Sequence, residues 1–209
     1  MTSSTTTLPA PLSPRTLADV LVPHAGDDRV GTVLRAVTLV LAGAGLTAIS
    51  AQLAFKMPWT DVPYTGQTAA VLLVGTVLGW RLGAASMLLY LLLGIAGAPV
   101  FSAGAHGLDQ VLGYTGGYLV AFVVAAAVVG RLAELGWDRT PLFAAGLMLL
   151  GNVIIYAIGV PVLAITLSLP PSDAIWSGAL VFVPWDAFKI IVAAGLLPLA
   201  WRVAAPDRR

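Results

Sequence analysis

The sequence predicts an all-α integral membrane protein of six transmembrane helices with both termini cytoplasmic. Three observations carry that expectation. Of 209 residues, 58% are hydrophobic and only 10% are charged, against about 25% charged in an ordinary soluble domain, and the mean hydropathy is +0.92. The chain also divides into apolar stretches of the length that crosses a hydrocarbon core, roughly 20 helical residues for about 30 Å. Finally, its basic residues fall on one side of those stretches. The same composition excludes other classes. A net charge of +1 offers no basic footprint for nucleic acid. The absence of cysteine excludes disulfides, thiolate metal sites and cysteine nucleophiles. Two histidines are too few for a histidine metal site without carboxylates. No cofactor or metal is expected.

Residues 1–30 read as a cytoplasmic tail rich in Thr, Ser and Pro, lacking the apolar run of a cleavable signal. Within it, 1–12 reads as disordered, 15–23 as a short amphipathic segment at the cytoplasmic face, and His24 as a solvated loop residue. The membrane domain is 31–203, and 204–209 is a second cytoplasmic tail. The helix cores are expected at 36–55, 67–79, 82–96, 114–132, 141–167 and 180–201. The second and third are short, with only Trp80-Arg81-Leu82-Gly83 between them, so one re-entrant hairpin is the alternative to two spans. With six spans and an internal N-terminus, the cytoplasmic side holds Arg15, Arg29, Arg35, Arg81, Arg131, Arg139, Arg202, Arg208 and Arg209. Lys56 alone is external, and Lys189 lies within the last span. That is the positive-inside asymmetry. Five spans would place Arg202, Arg208 and Arg209 outside.

Charge within a span costs roughly 2.5–3.5 kcal/mol on insertion scales, and Asp186 and Lys189 face that cost squarely. Their spacing of three puts them on one helical face. They read as a ligand site or as a self-neutralising structural pair; the ligand site is favoured, because apolar residues often serve structure as well or better. Pro184 is tolerated early in a helix, so the helix proper starts near it, and Asp186 falls in the first turn, where the dipole favours a carboxylate. Asn152 in the fifth span reads equally as helix–helix glue or as a ligand contact. Tyr156, which shares its face, reads as packing.

Two external connections, Lys56 to Gln67 and Gly97 to Asp109, are rich in Pro, Gly and aromatics. Apolar loops facing water usually cover something, and together they look like a lid over an outward-facing pocket. Gly113-Tyr114-Thr115-Gly116-Gly117-Tyr118 opens the fourth helix, where Gly116 and Gly117 offer bare N–H groups to an anion. On the first helix, Ala44-x-x-x-Ala48 is a small-residue pattern that allows close helix approach; packing within the bundle is the alternative, and Ala44 and Ala48 are expected to dock a partner protein. No G-x-x-x-x-G-K-[ST] motif occurs, so this chain is not itself an ATPase, and no Ser/His/Asp arrangement is visible.

Taken together, Val62-Pro63-Tyr64-Thr65-Gly66-Gln67-Thr68, Leu88-Leu89-Tyr90-Leu91-Leu92-Leu93-Gly94, Gly97-x-Pro99-Val100-Phe101, Gly113-x-Thr115-Gly116-Gly117-Tyr118-Leu119 and Pro184-x-Asp186-x-x-Lys189 resemble the signatures of BioY, the biotin-specific S component of energy-coupling-factor (ECF) vitamin transporters. The match covers about Ala36 to Trp201. Two features depart from the pattern: Tyr114 stands where the family has Pro, and Ala103, Ala105 and His106 interrupt a glycine run. The resemblance implies the six-helix S-component fold, biotin bound near the outer face, and a transmembrane coupling protein and cytoplasmic ABC-type ATPases as partners in the cell membrane.

Biotin's chemistry suits these residues. Its ureido ring has two N–H donors and a carbonyl. An ionised Asp186 only accepts and Lys189 only donates, and their tight spacing favours both at the ureido end. The valerate carboxylate would then fall to Gly116 and Gly117, to Tyr118 or to Gln67. Three rival readings remain: an intramembrane enzyme using Asp186 and Lys189 for proton transfer, an S component for another vitamin, since one fold can host different ligands, and a carrier working without ATPases.

Overall fold

The computed structural model describes residues 16–22 and 29–205. The expected disordered stretch, His24, and Arg15, Arg208 and Arg209 lie outside the described residues. The first described element, α1 (Leu17–Leu21), begins with a reciprocal cap: the Thr16 hydroxyl accepts the Asp19 N–H and the Asp19 carboxylate accepts the Thr16 N–H. Arg35 of α2 (Arg29–Gln52) holds this short helix. Its guanidinium donates to Val22 O at 2.6 Å and Ala18 O at 2.9 Å, and pairs with Asp19 at 3.2 Å.

After α2 comes an antiparallel hairpin of β1 (Ala54–Met57) and β2 (Thr60–Thr65), pairing Ala54 with Thr65, Phe55 with Tyr64 and Met57 with Thr60. This corrects the all-α expectation for the first external connection. Phe55, Thr60, Val62, Tyr64 and Thr65 are the β-branched and aromatic types that fit a pleat, but the runs are too short to show alternation in sequence.

Next, α3 (Gln67–Ile95) is a helix only in name across its middle, because Gly79 has φ +80° and ψ 176°. That backbone is open to glycine and costly for other residues. The chain reverses there. A Cβ on Gly83 would lie 2.8 Å from Gly75 Cα, whereas eight residues of straight helix would separate them by about 12 Å. Far from the bend, Gln67 donates to the Tyr90 hydroxyl at 2.6 Å. The limbs 67–78 and 80–95 are therefore antiparallel and rise about 18 Å and 24 Å. The sequence placed the break after 79, and the structure places it on Gly79 itself.

The remaining helices are α4 (Leu108–Leu112), α5 (Gly116–Glu134), α6 (Pro141–Leu167), α7 (Pro171–Gly178) and α8 (Val183–Ala204). The long ones pack in the order α2, α3, α5, α6, α8, with α5 central. Val71, Ala121, Ala125, Ala126, Val129, Leu147 and Ile155 are fully buried along that seam. Five helical segments among the described residues are long and apolar enough to cross a membrane, one of them the folded-back α3.

The two ends of the bundle differ. At one end a Cβ on Gly79 would sit 2.7 Å from Glu134 Oε1 and 3.0 Å from Thr16, so the α3 bend, the end of α5 and α1 meet. Trp201 near the end of α8 donates to Asp138, in the short turn between α5 and α6, at 2.6 Å. Arg81, Arg131, Arg139 and Arg202 belong to this arginine-rich end. Lys56 lies at the opposite end, on β1, where the chain forms a cavity.

Candidate ligand-binding site

The cavity at the β-hairpin end has a volume of about 520 Å³, within the roughly 300–1,000 Å³ of small-molecule sites. Its buried acidic group is Asp186, in the first turn of α8 and 5% exposed. Oδ1 pairs with Lys189 Nζ at 3.2 Å, and Oδ2 accepts the Tyr156 hydroxyl from α6. Lys189 is held from the other side by Thr68 Oγ1 at 2.7 Å and Thr65 O at 3.3 Å. All three ammonium donors are thus engaged. Asp186 accepts two bonds and retains lone pairs facing the cavity. Burying such a pair is tolerable only with these extra hydrogen bonds.

The walls are aromatic. Phe182 lies 4.5 Å from Tyr64 and 6.3 Å from Tyr156, centroid to centroid, and Tyr156 meets Tyr118 edge-on at 6.5 Å. Tyr118 is anchored through its hydroxyl to Gly178 O at 2.9 Å. On the other side, Phe101 is buried (1%) and edge-on to Tyr90 at 5.5 Å. Phe101 O also accepts from Gln52. The β-hairpin is tied across the mouth to the segment before α8: Thr60 Oγ1 donates to Ser177 O at 2.6 Å, and Tyr64 Oη to Val181 O at 2.6 Å. The segment 101–106 also lines the cavity.

Of the residues expected to bind ligand, Asp186, Lys189, Gln67 and Tyr118 line this cavity together. Asn152, Gly116 and Gly117 do not. Asn152 Nδ2 donates to Met148 O of its own helix, and its buried Oδ1 has no partner among the described residues. Gly116 is packed against Val111 O, and Gly117 against Val162 and Ile158. On α2, Ala44 is buried (3%) in the chain's own core and Ala48 is half-buried. The sequence reading passed over Thr65 and Thr68 as Lys189 partners, and it took Tyr156 for packing.

An apolar helical bundle that closes a polar-floored, aromatic-walled cavity at one end defines a multi-pass membrane protein with a small-molecule site. The model of the BioY family matches residues 19–206, and the chain belongs to that family. It is 35% identical over 177 residues to the biotin transporter BioY of Rhizobium etli, covering 81% of this chain and 94% of that one. It is 38% identical over 156 residues to the biotin transporter BioY of Thermotoga maritima, covering 75% and 90%. The fold is shared with the S-component for biotin from an ECF-type ABC transporter, known from a 2.1 Å crystal structure, at a TM-score of 0.75 and 22% identity over 83% of this chain and 94% of that one.

Proposed function

We propose that this protein binds biotin from outside the cell and brings it across the plasma membrane as the substrate-specific component of an ECF-type transporter. The observation that carries the reading is the buried Asp186–Lys189–Thr68 cluster on the floor of an aromatic cavity in a chain of the BioY family. The ureido N–H groups go to the free lone pairs of Asp186. The ureido carbonyl displaces the long Lys189–Thr65 contact, and the apolar thioether ring rests on Tyr156 and Phe182. The valerate then extends along the wall, where Gln67 and Tyr118 line the cavity.

Both limbs of α3 count as crossings in this reading, giving six with both termini cytoplasmic. The support is the placement of Arg81, Arg131, Arg139 and Arg202 at one end and Lys56 at the other. Energy comes from a transmembrane coupling protein and ATPases on other chains, since this one has no nucleotide motif. Because Ala44 faces inward, a partner on α2 meets the side of Ala42, Gly45 and Ile49, and Gly45 has open space beside it. Calorimetry of the purified chain with biotin tests the reading. Saturable binding at one site is expected, and no binding by folded protein would reject it.

A further inference from the structure

A second depression lies at the arginine-rich end, outside the cavity. It is an open groove of about 670 Å³ lined by Trp80, Arg81, Ala127, Val128, Arg131 and Glu134. It sits where the α3 bend meets the outward face of α5. Its charges are arranged asymmetrically. Glu134, only 13% exposed at its side chain, is already committed: Oε1 accepts the Trp80 N–H at 3.2 Å and Oε2 pairs with Arg131 at 2.9 Å. Arg81 has no carboxylate partner among the described residues. Its guanidinium lies over the Trp80 ring at 5.1 Å, which fixes its plane and leaves its N–H edge free. Arg131 is 55% exposed at its side chain and spends one of its five donors on Glu134. The groove thus presents two guanidiniums against one neutralised carboxylate.

What leads into the groove is apolar. Val120 and Val124 on α5 are exposed at 44% and 42%, and they continue through Ala127 and Val128 to Arg131 on one helical face. A partner that satisfies both parts carries a phosphodiester at one end and a hydrocarbon chain at the other. Basic pockets between helices at the cytoplasmic surface hold anionic headgroups, and a tryptophan belongs at that depth. We propose that this groove binds the headgroup of an anionic phospholipid of the inner leaflet, with an acyl chain laid along Val124 and Val120. The leaflet rests on the orientation proposed above; the binding itself does not.

The test uses the full chain, purified and stripped of lipid in a neutral detergent. It is offered equal amounts of phosphatidylglycerol and phosphatidylcholine with identical acyl chains, and retained lipid is counted by native mass spectrometry. The wild type is expected to retain the anionic lipid at least about fivefold in preference. Arg81→Gln, which breaks no ion pair, should lower the preference, and Arg81→Gln/Arg131→Gln should abolish it. Arg202→Gln, at the same end but outside the groove, should keep it. Biotin binding measured on each variant separates a failed site from a failed fold or a failed function. No preference in the wild type, an unchanged preference in the double variant, or equal loss in Arg202→Gln would overturn the proposal. Displacement of the lipid by excess inorganic phosphate would assign the groove to a soluble anion instead. Loss of coupling-protein copurification in the double variant with lipid retention intact would assign it to a protein.

Discussion

At the scale of single residues, the cavity floor is a set of charges that already have partners before any ligand arrives. Asp186 is held by Lys189 and Tyr156, and Lys189 by Thr65 and Thr68. Such preorganisation lowers the cost of ordering the site on binding. Asp186→Asn should therefore weaken biotin binding by roughly 1.5–3 kcal/mol, tenfold or more, as for a lost charge-assisted hydrogen bond. Asn152→Ala should cost less, because its amide donates to its own helix. Calorimetry on both variants checks this, and unchanged affinity in a folded Asp186→Asn protein would make the pair structural. Asp186 and Lys189 were legible in sequence because a charge inside a span has few innocent explanations. Tyr156 was not, because a tyrosine ring packs in any apolar span and nothing in sequence tells where its hydroxyl ends. Asn152 and Tyr156 share a face at i,i+4, yet one turn of helix separates a residue below the cavity from one that lines it.

Another residue makes a prediction about pH. Asp138 lies in the turn between α5 and α6, outside the spans and fully buried. One oxygen accepts from Trp201 at 2.6 Å and the other has no partner among the described residues. Burial raises its carboxyl from 3.8 to about 6, against the opposing pull of the Trp201 bond and of Arg139. The folded chain then keeps the proton over a range where the unfolded chain has lost it. This group's contribution is fully present below about pH 4, falls as pH rises toward about 6, and is lost above. The loss amounts to about 3 kcal/mol. Asp138→Asn keeps an acceptor for Trp201 and removes the titration. The Tm of the wild type relative to this variant should fall between pH 4 and pH 7, and a constant difference would show that Asp138 does not titrate there.

At the scale of elements, the bend in α3 decides where the cavity floor lies, because it brings Gln67 and Tyr90 level with each other at 2.6 Å. Gly79 makes the bend possible. A β-branched residue there would be forced into an extended positive-φ region essentially confined to glycine, at a cost of roughly 1–3 kcal/mol, and would crowd Glu134 and Thr16. Gly79→Val should lower the Tm in detergent by several degrees and reduce biotin binding with it, whereas Gly45→Val, with open space beside it, should do neither. The later spans were readable to within three residues, and α6 falls at 141–167 as expected, because Arg, Pro and Gly punctuate their ends; the first was not, since α2 begins at Arg29 rather than 36 and carries Arg29 and Arg35 within the helix. The β-hairpin and α7 were not, because segments this short take their structure from contacts distant in sequence. Thr60 with Ser177 and Tyr64 with Val181 are such contacts.

At the scale of the whole molecule, the cavity is a closed end and a mouth. The closed end is made of long helices packed through α5. The mouth is made of the β-hairpin and the segment 101–106, both of which line the cavity. These two edges differ in how they are held. The hairpin is pinned to the segment before α8 by two side-chain hydrogen bonds of 2.6 Å each. The 101–106 segment is held at its two ends, by the buried Phe101 and by the Gly107 N–H donating to Gly94 O at 2.7 Å, and between them Gly104 sits at φ +78°, where glycine moves at little cost. If one edge opens for biotin, it is the glycine-bearing one. A ligand in a good site is largely enclosed, so biotin should close that edge and leave the arginine-rich end unmoved. The chain has no cysteine, so single cysteines can report this without background. Lys56→Cys on the hairpin and His106→Cys on the other edge are both exposed and both border the cavity. Both should react with an impermeant thiol reagent applied outside sealed cells. Saturating biotin should protect His106→Cys several-fold and Lys56→Cys less, while Leu135→Cys, exposed beyond the end of α5, should stay unreactive from outside in both states. Equal labelling of His106→Cys with and without biotin would reject closure by this edge, and labelling of Leu135→Cys from outside would reject the orientation.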